Sequence, residues 1–274
     1  MRRATRYPIS TIRNGATDML LYDPPRKPDP RHVPTEAELR RDLAAAYRLI
    51  ALHGMTDTVY THLSVRVPGE GHRFLVNPYG LLFEEITASS LVLVDAEGEP
   101  AQKTSWPVNP AGFVIHSALH LASPRAQCVM HTHTLAGMTV AATEQGILPL
   151  NQISMEFHDR VAIHGYEGIA ADDNLSERER LVRDMGDRPC LILRNHGLLT
   201  AGRTVAEAFY WMYYLEQACR IQVAALSTGA PLSMPPAGVV ERTRAQSPDS
   251  PTKGWLLWQA MCRKLDREQP EYRS

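Results

Sequence analysis

The chain has 274 residues, 29 of them basic and 30 acidic, for a formal net charge of -1, and 44% of its residues are hydrophobic. A chain of this size and composition can bury its own core, which excludes a disordered, collagenous or coiled-coil protein. The even charge balance supplies no global attraction to nucleic acid or to an anionic membrane. No apolar run approaches the roughly 18 residues that span a bilayer, and the basic start Met1–Pro8 has no apolar stretch behind it, so no secretory leader is expected. Cys128, Cys190, Cys219 and Cys262 are scattered and form no CxxC pair, which fits free thiols in a reducing cytoplasm.

Residues 1–34 are rich in Pro and Arg and read as an extended N-terminal arm, laid over a neighbouring subunit or free. Thr35 and Glu38 form a capping box for a helix with Leu39, Leu43, Tyr47 and Ile50 on one face, stopped near Gly54. Val59–Val67 alternates as a strand, with Tyr60, His62, Ser64 and Arg66 on its polar face. Arg73–Asn77 and Leu91–Asp95 are further strands. Asn109 and Pro110 open a helix running to about Ala122. A strand over Cys128–His133, a helix over Leu135–Glu144 and an apolar strand over Cys190–Arg194 follow, and His158 and His164 flank Asp159 and Arg160 in a strand pair. Thr204 and Glu207 form a second capping box, opening a long helix with Ala208, Trp211, Leu215, Ala218, Ile221 and Ala225 on one face. Residues 227–253 read as a linker, and Trp255–Leu265 as a short helix docking back. Helices alternate with strands, so the class is α/β.

On a strand, residues i and i+2 share a face, so His131 and His133 present two imidazoles side by side. Neutral imidazole is a standard ligand for zinc and iron, although such a pair also reads as two polar residues on a half-exposed strand. His196 ends an apolar strand and precedes Gly197, where backbone can approach closely, and it supplies a possible third ligand. Three imidazoles leave coordination positions open, as catalytic metal sites do. His116 and His120 lie one helical turn apart and share a face, either as a supporting pair or with His116 inside and His120 at the surface.

Together, His131-x-His133, Arg194-Asn195-His196-Gly197, Asn109-x-x-Gly112-Phe113-x-Ile115-His116-Ser117 and Asn77-Pro78-Tyr79-Gly80 resemble the class II aldolase/adducin family, over about residues 35–226. The resemblance implies a three-layer α/β/α sandwich around a mainly antiparallel central sheet. It also implies a homo-oligomer, usually a tetramer, with active sites near subunit interfaces. It assigns His131, His133 and His196 to a divalent metal ion, zinc first and Fe(II) or Mn as alternatives. The implied chemistry is Lewis-acid stabilisation of an enolate as a carbon–carbon bond breaks.

This sequence departs from the aldolases at two places. Their acid/base carboxylate lies four residues before the histidine matching His116, and here that residue is Gly112. Loss of a general acid–base is worth roughly 10²- to 10⁴-fold in rate. Glu156, His158, Tyr213 and Tyr214 are candidate substitutes, of which Glu156 and Tyr214 are taken forward; each reads more readily as a structural polar residue or a helix-face aromatic. The phosphate-holding stretches are replaced by Thr61-His62-Leu63-Ser64 and Val108-Asn109-Pro110, so an unphosphorylated substrate is expected. The reading is therefore a cytoplasmic metal-dependent lyase acting on a small hydroxy- or oxo-acid, with no nucleic-acid or membrane partner. Two alternatives stay open: a non-haem Fe(II) oxygenase of 4-hydroxyphenylpyruvate-type acids, as in relatives from aminocoumarin biosynthesis, and an adducin-like assembly protein without catalysis.

Overall fold

The computed structural model describes residues 27–29, 31–168, 175–236 and 238–274. Most of the expected arm over 1–34 lies outside the described residues. The capping box at Thr35 is present: Thr35 Oγ1 accepts the Glu38 N–H at 3.3 Å, and Glu38 Oε2 accepts the Thr35 N–H at 2.8 Å. These bonds satisfy free amides at the start of α1 (Glu36–Leu52), whose Leu43, Tyr47 and Ile50 are fully buried.

Among the described residues, seven strands form one sheet: β1 (His62–Val67), β2 (Arg73–Val76), β3 (Val92–Val94), β4 (Cys128–Thr132), β5 (Val161–His164), β6 (Cys190–Leu193) and β7 (Gly197–Gly202). Their spatial order is β3-β2-β1-β4-β7-β6-β5, with β5 and β6 parallel and every other pair antiparallel. The sheet is therefore mainly antiparallel, as expected. α1, α3 (Leu135–Ala141), α6 (Val205–Ser227) and α8 (Trp255–Glu268) cover one face, over a core that includes Leu63, Met130, Leu198 and Trp211. α2 (Pro110–Ala122) and α5 (Leu175–Met185) cover the other, over Val129, Leu191 and Leu199. The result is an α/β/α sandwich.

Four expectations need correction. The strand expected from Val59 begins only at His62, because Thr61 adopts a left-handed backbone (φ 65) that breaks the alternation. Of its polar face, His62 and Ser64 are buried beneath helix α2, while Tyr60 stays exposed. On α6, Ile221 is exposed and Gln222 is buried in its place, donating to Gly146 O and accepting from the Leu148 N–H. Thr204 caps α6 by accepting the Glu207 N–H at 3.1 Å, but the buried Glu207 carboxylate turns to Arg125 and Arg203, so only half of the expected box forms.

Two stretches hold structure that alternation did not reveal. β7 is buried along its whole length, which removes the period-2 signal. The segment read as a linker contains α7 (Val239–Gln246). It is tied to the core through Glu156, which accepts hydrogen bonds from Ser247 at 2.7 Å and Tyr210 at 2.9 Å and pairs with Lys253 at 2.6 Å. Among the described residues, no helix is long and apolar enough to cross a membrane.

Candidate metal centre

β4 delivers His131 and then His133 one residue past its end, while His196 sits in the turn joining β6 to β7. The pairing of His131 with Leu199 brings that turn alongside the end of β4. Two local devices fix the geometry. Asn195 adopts a left-handed conformation (φ 53), and its N–H bonds Ala141 O at 3.1 Å, which aims the next residue, His196, across the turn. Gly197 then allows the chains to close: a Cβ there would lie 2.4 Å from Thr132 O and about as near the rings of His131 and His133 as packing allows, at 3.2–3.3 Å. On the other side of His133, Thr134 caps α3 through the Gly137 N–H and donates to buried Glu216 at 2.5 Å, so the chain is held as it leaves the strand.

One ligand nitrogen from each of His131, His133 and His196 falls within 4.8 Å of the others. His131 Nδ1 lies 2.8 Å from Leu198 O and His133 Nδ1 lies 2.9 Å from Asp57 Oδ2. A carbonyl and a carboxylate only accept, so both Nδ1 atoms carry a proton, and in the neutral rings both Nε2 atoms carry a lone pair. These two Nε2 atoms nevertheless face each other at 2.8 Å, and His196 Nε2 lies 3.3 Å from that of His131. Converging lone pairs repel unless a cation lies among them, so the donor set fits a divalent metal ion. Burial, helped by the neighbouring imidazoles, holds the His131 pKa well below the ordinary histidine range and brings His196 down to about 4. Both rings are neutral at pH 7, the state a metal requires.

Behind the triad is a second, buried histidine group. His62 is the cross-strand partner of His131, and its ring lies 4.0 Å from that of His116. Ser64 Oγ lies 2.6 Å from both His116 Nδ1 and His120 Nε2, and His120 Nδ1 donates to Ala126 O. Both His116 and His120 are therefore interior, and His120 is not at the surface. Burial pushes both pKa values down, His120 to about 4.

The structure brings the three expected ligands together, but it does not bring Glu156 or Tyr214 to them within one chain. Glu156 is spent on Tyr210, Ser247, Lys253 and Arg160. The Tyr214 ring packs against Tyr210 and Tyr213 on α6, and burial raises its pKa. His158 sits in a turn beside Asp159, and His164, at the end of β5, is held by Asp184 at 2.8 Å. Sequence reasoning missed Asp57 and the Leu198 carbonyl. A carboxylate in a turn 76 positions away carries no local signal, and a backbone acceptor carries none at all.

A seven-stranded α/β/α sandwich with three histidines converging at the end of its central strands defines the class of protein. The chain belongs to the family described as the class II aldolase and adducin N-terminal domain, whose pattern matches residues 41–223. It is 50% identical over 239 residues to a Caulobacter vibrioides protein assigned by name to aldolase class 2, covering 86% of this chain and 92% of that one. It is 41% identical over 228 residues to mouse alpha-adducin, covering 82% of this chain but only 29% of adducin. Among solved structures, an aldolase II superfamily protein from Pseudomonas syringae is 50% identical with a TM-score of 0.83, covering 89% of this chain and 98% of that one. L-fuculose 1-phosphate aldolase from Glaciozyma antarctica PI12 is 31% identical with a TM-score of 0.77, covering 87% of this chain and 93% of that one.

Proposed function

We propose that this protein is a metal-dependent lyase that breaks a carbon–carbon bond in an unphosphorylated hydroxy- or oxo-acid, with His131, His133 and His196 as the metal ligands. The observation that carries this reading is the convergence of two tautomer-fixed Nε2 lone pairs at 2.8 Å, with a third imidazole beside them. A divalent ion bound there, zinc first, would act as a Lewis acid on a substrate carbonyl. The chain's own contribution is orientation: Leu198 O and Asp57 orient two imidazoles, and Gly197 lets the β6–β7 turn close against the end of β4. His62, buried beside His131, lies in the Thr61–Ser64 stretch that replaces a phosphate-holding segment of the aldolases it resembles, which supports a substrate without phosphate.

Likeness to a fuculose-phosphate aldolase supports aldol-type cleavage. Likeness to alpha-adducin supports the second reading, an assembly module without catalysis. One experiment separates them. Protein purified anaerobically without added metal or chelator is analysed for metals, then screened on hydroxy-acids, oxo-acids and L-fuculose 1-phosphate. About one zinc or manganese per chain, lost in His133→Ala, with cleavage of an unphosphorylated acid, is the expected result. Cleavage of the sugar phosphate alone overturns the substrate assignment, and one iron per chain with oxygen uptake on aryl pyruvates moves the reading to an oxygenase. No metal and no activity leaves the assembly module.

A further inference from the structure

A cavity of about 640 Å³ opens where Arg125, Arg160, Arg188 and Arg244 meet, with Asp159, Asp187 and Asp249 also in its wall. That volume lies within the range of small-molecule sites. Arg125 and Arg160 immediately precede the segments that start β4 and β5, and Arg188 precedes β6. The histidine triad lies at the other end of the same strands, so the cavity is roughly 15 Å or more from it, given about 3.3 Å per strand residue.

The four arginines are not equivalent. Arg125 and Arg160 hold the wall together. Arg125 Nη1 pairs with Asp249 at 2.8 Å and Nη2 with Glu207 at 2.9 Å, while Arg160 bonds Glu156 O and Ser247 O. Arg244 donates from Nε to His158 O at 3.0 Å, which fixes the plane of its guanidinium, and its two terminal nitrogens have no acceptor among the described residues. The Arg188 side chain is exposed and has neither a hydrogen bond nor an ion pair among the described residues. In addition, Arg125 Nε is buried with no hydrogen-bond partner. An unmatched buried donor costs about 1–3 kcal/mol, and natural structures ordinarily satisfy such groups. Asp249 is neutralised by Arg125 and Arg203, while Asp159 and Asp187 are exposed, leaving the cationic heads to set the interior.

We propose that this cavity is a second ligand site, which binds the oxyanion of a small hydroxylated acid, carboxylate or phosphate, through the Arg188 and Arg244 guanidinium groups. Planar guanidinium forks match the two oxygens of such a group. Asp159 and Asp187 at the opening accept from ligand hydroxyls and select against ligands with negative charge all round. Because the wall joins the 244–249 segment to the starts of β5 and β6, a bound anion also ties that segment to the sheet.

Calorimetric titration of the full chain with inorganic phosphate and, separately, with glycerate tests the proposal and shows which oxyanion is preferred. Saturable binding by either probe is expected, together with a rise in melting temperature. Arg188→Ala and Arg244→Ala should each weaken it about tenfold and Arg188→Lys by less, because an ammonium keeps the charge but not the fork. His196→Ala should leave it unchanged. Absence of saturable binding at ~10 mM probe, a Kd near the weak end of the useful scale, overturns the proposal. So does affinity that is unaffected by the arginine variants, or that disappears with His196. Arg188 has no folded-state partner to lose, so its variants report on binding and not on folding.

Discussion

Asp57 Oδ2 accepts the proton of His133 Nδ1 at 2.9 Å, and this one contact decides which nitrogen of His133 faces the other two imidazoles. The carboxylate is partly exposed, at 40% of its side chain, so its loss should not unfold the chain. Partners of this kind typically contribute about 10- to 100-fold in metal affinity. Asp57→Ala should therefore weaken zinc binding by about that factor while leaving the denaturation midpoint of the metal-free protein in place. A competition titration with a zinc indicator measures it.

Gly197 has no room for a side chain, because its Cβ would meet Thr132 O at 2.4 Å. Gly197→Ala must push the β6–β7 turn away from the end of β4. The expected cost is roughly 2 kcal/mol or more, in the range of overpacked sites. His196 should move with the turn, so metal affinity falls too. Urea denaturation and metal titration of the same variant test both parts.

Burial holds the His120 pKa at about 4, against an ordinary histidine value of 6.5. Between these values the unfolded chain binds a proton that the folded chain does not, so stability rises with pH across that window and is lost as pH falls through it. The full effect is on the order of 3 kcal/mol, from 1.36 kcal/mol per pKa unit. His116, held low by the same burial, acts in the same direction. Denaturation midpoints from pH 4 to 7 should show this slope, and His120→Gln should flatten it.

Lys253 and Glu156 pair at 2.6 Å with side chains only 10% and 12% exposed. Breaking a buried pair by removing one charge costs about 3 kcal/mol. Glu156→Gln should lower stability by an amount of that order and open the 238–254 segment to limited proteolysis, with metal content unchanged. A Glu156 that served as acid/base would show the opposite pattern, with turnover lost and stability intact.

The strands and helices that carry a strong local signal were legible in the chain: the capping box at Thr35, the buried stripe of α1 and the His131-x-His133 alternation all depend on neighbours a few residues apart. The family was legible for the same reason, since its motifs are short and lie in order. β7 and α7 were not. A strand buried on both faces has no alternation to read, and a short polar helix among prolines and serines depends on Glu156, Lys253 and Ser247 for its place.

Residue order alone places two imidazoles on one strand face and a third before a glycine. The convergence of their nitrogens is a tertiary property, because the distance from His131 to His196 is set by the antiparallel pairing of β4 with β7 and not by any local preference. Tertiary structure also chose the tautomers, through Asp57 and the Leu198 carbonyl, and it removed Glu156 from the site by giving its carboxylate to Lys253. A side chain's chemistry belongs to its residue type, but its protonation, direction and partners belong to whatever the fold places within about 3 Å of it.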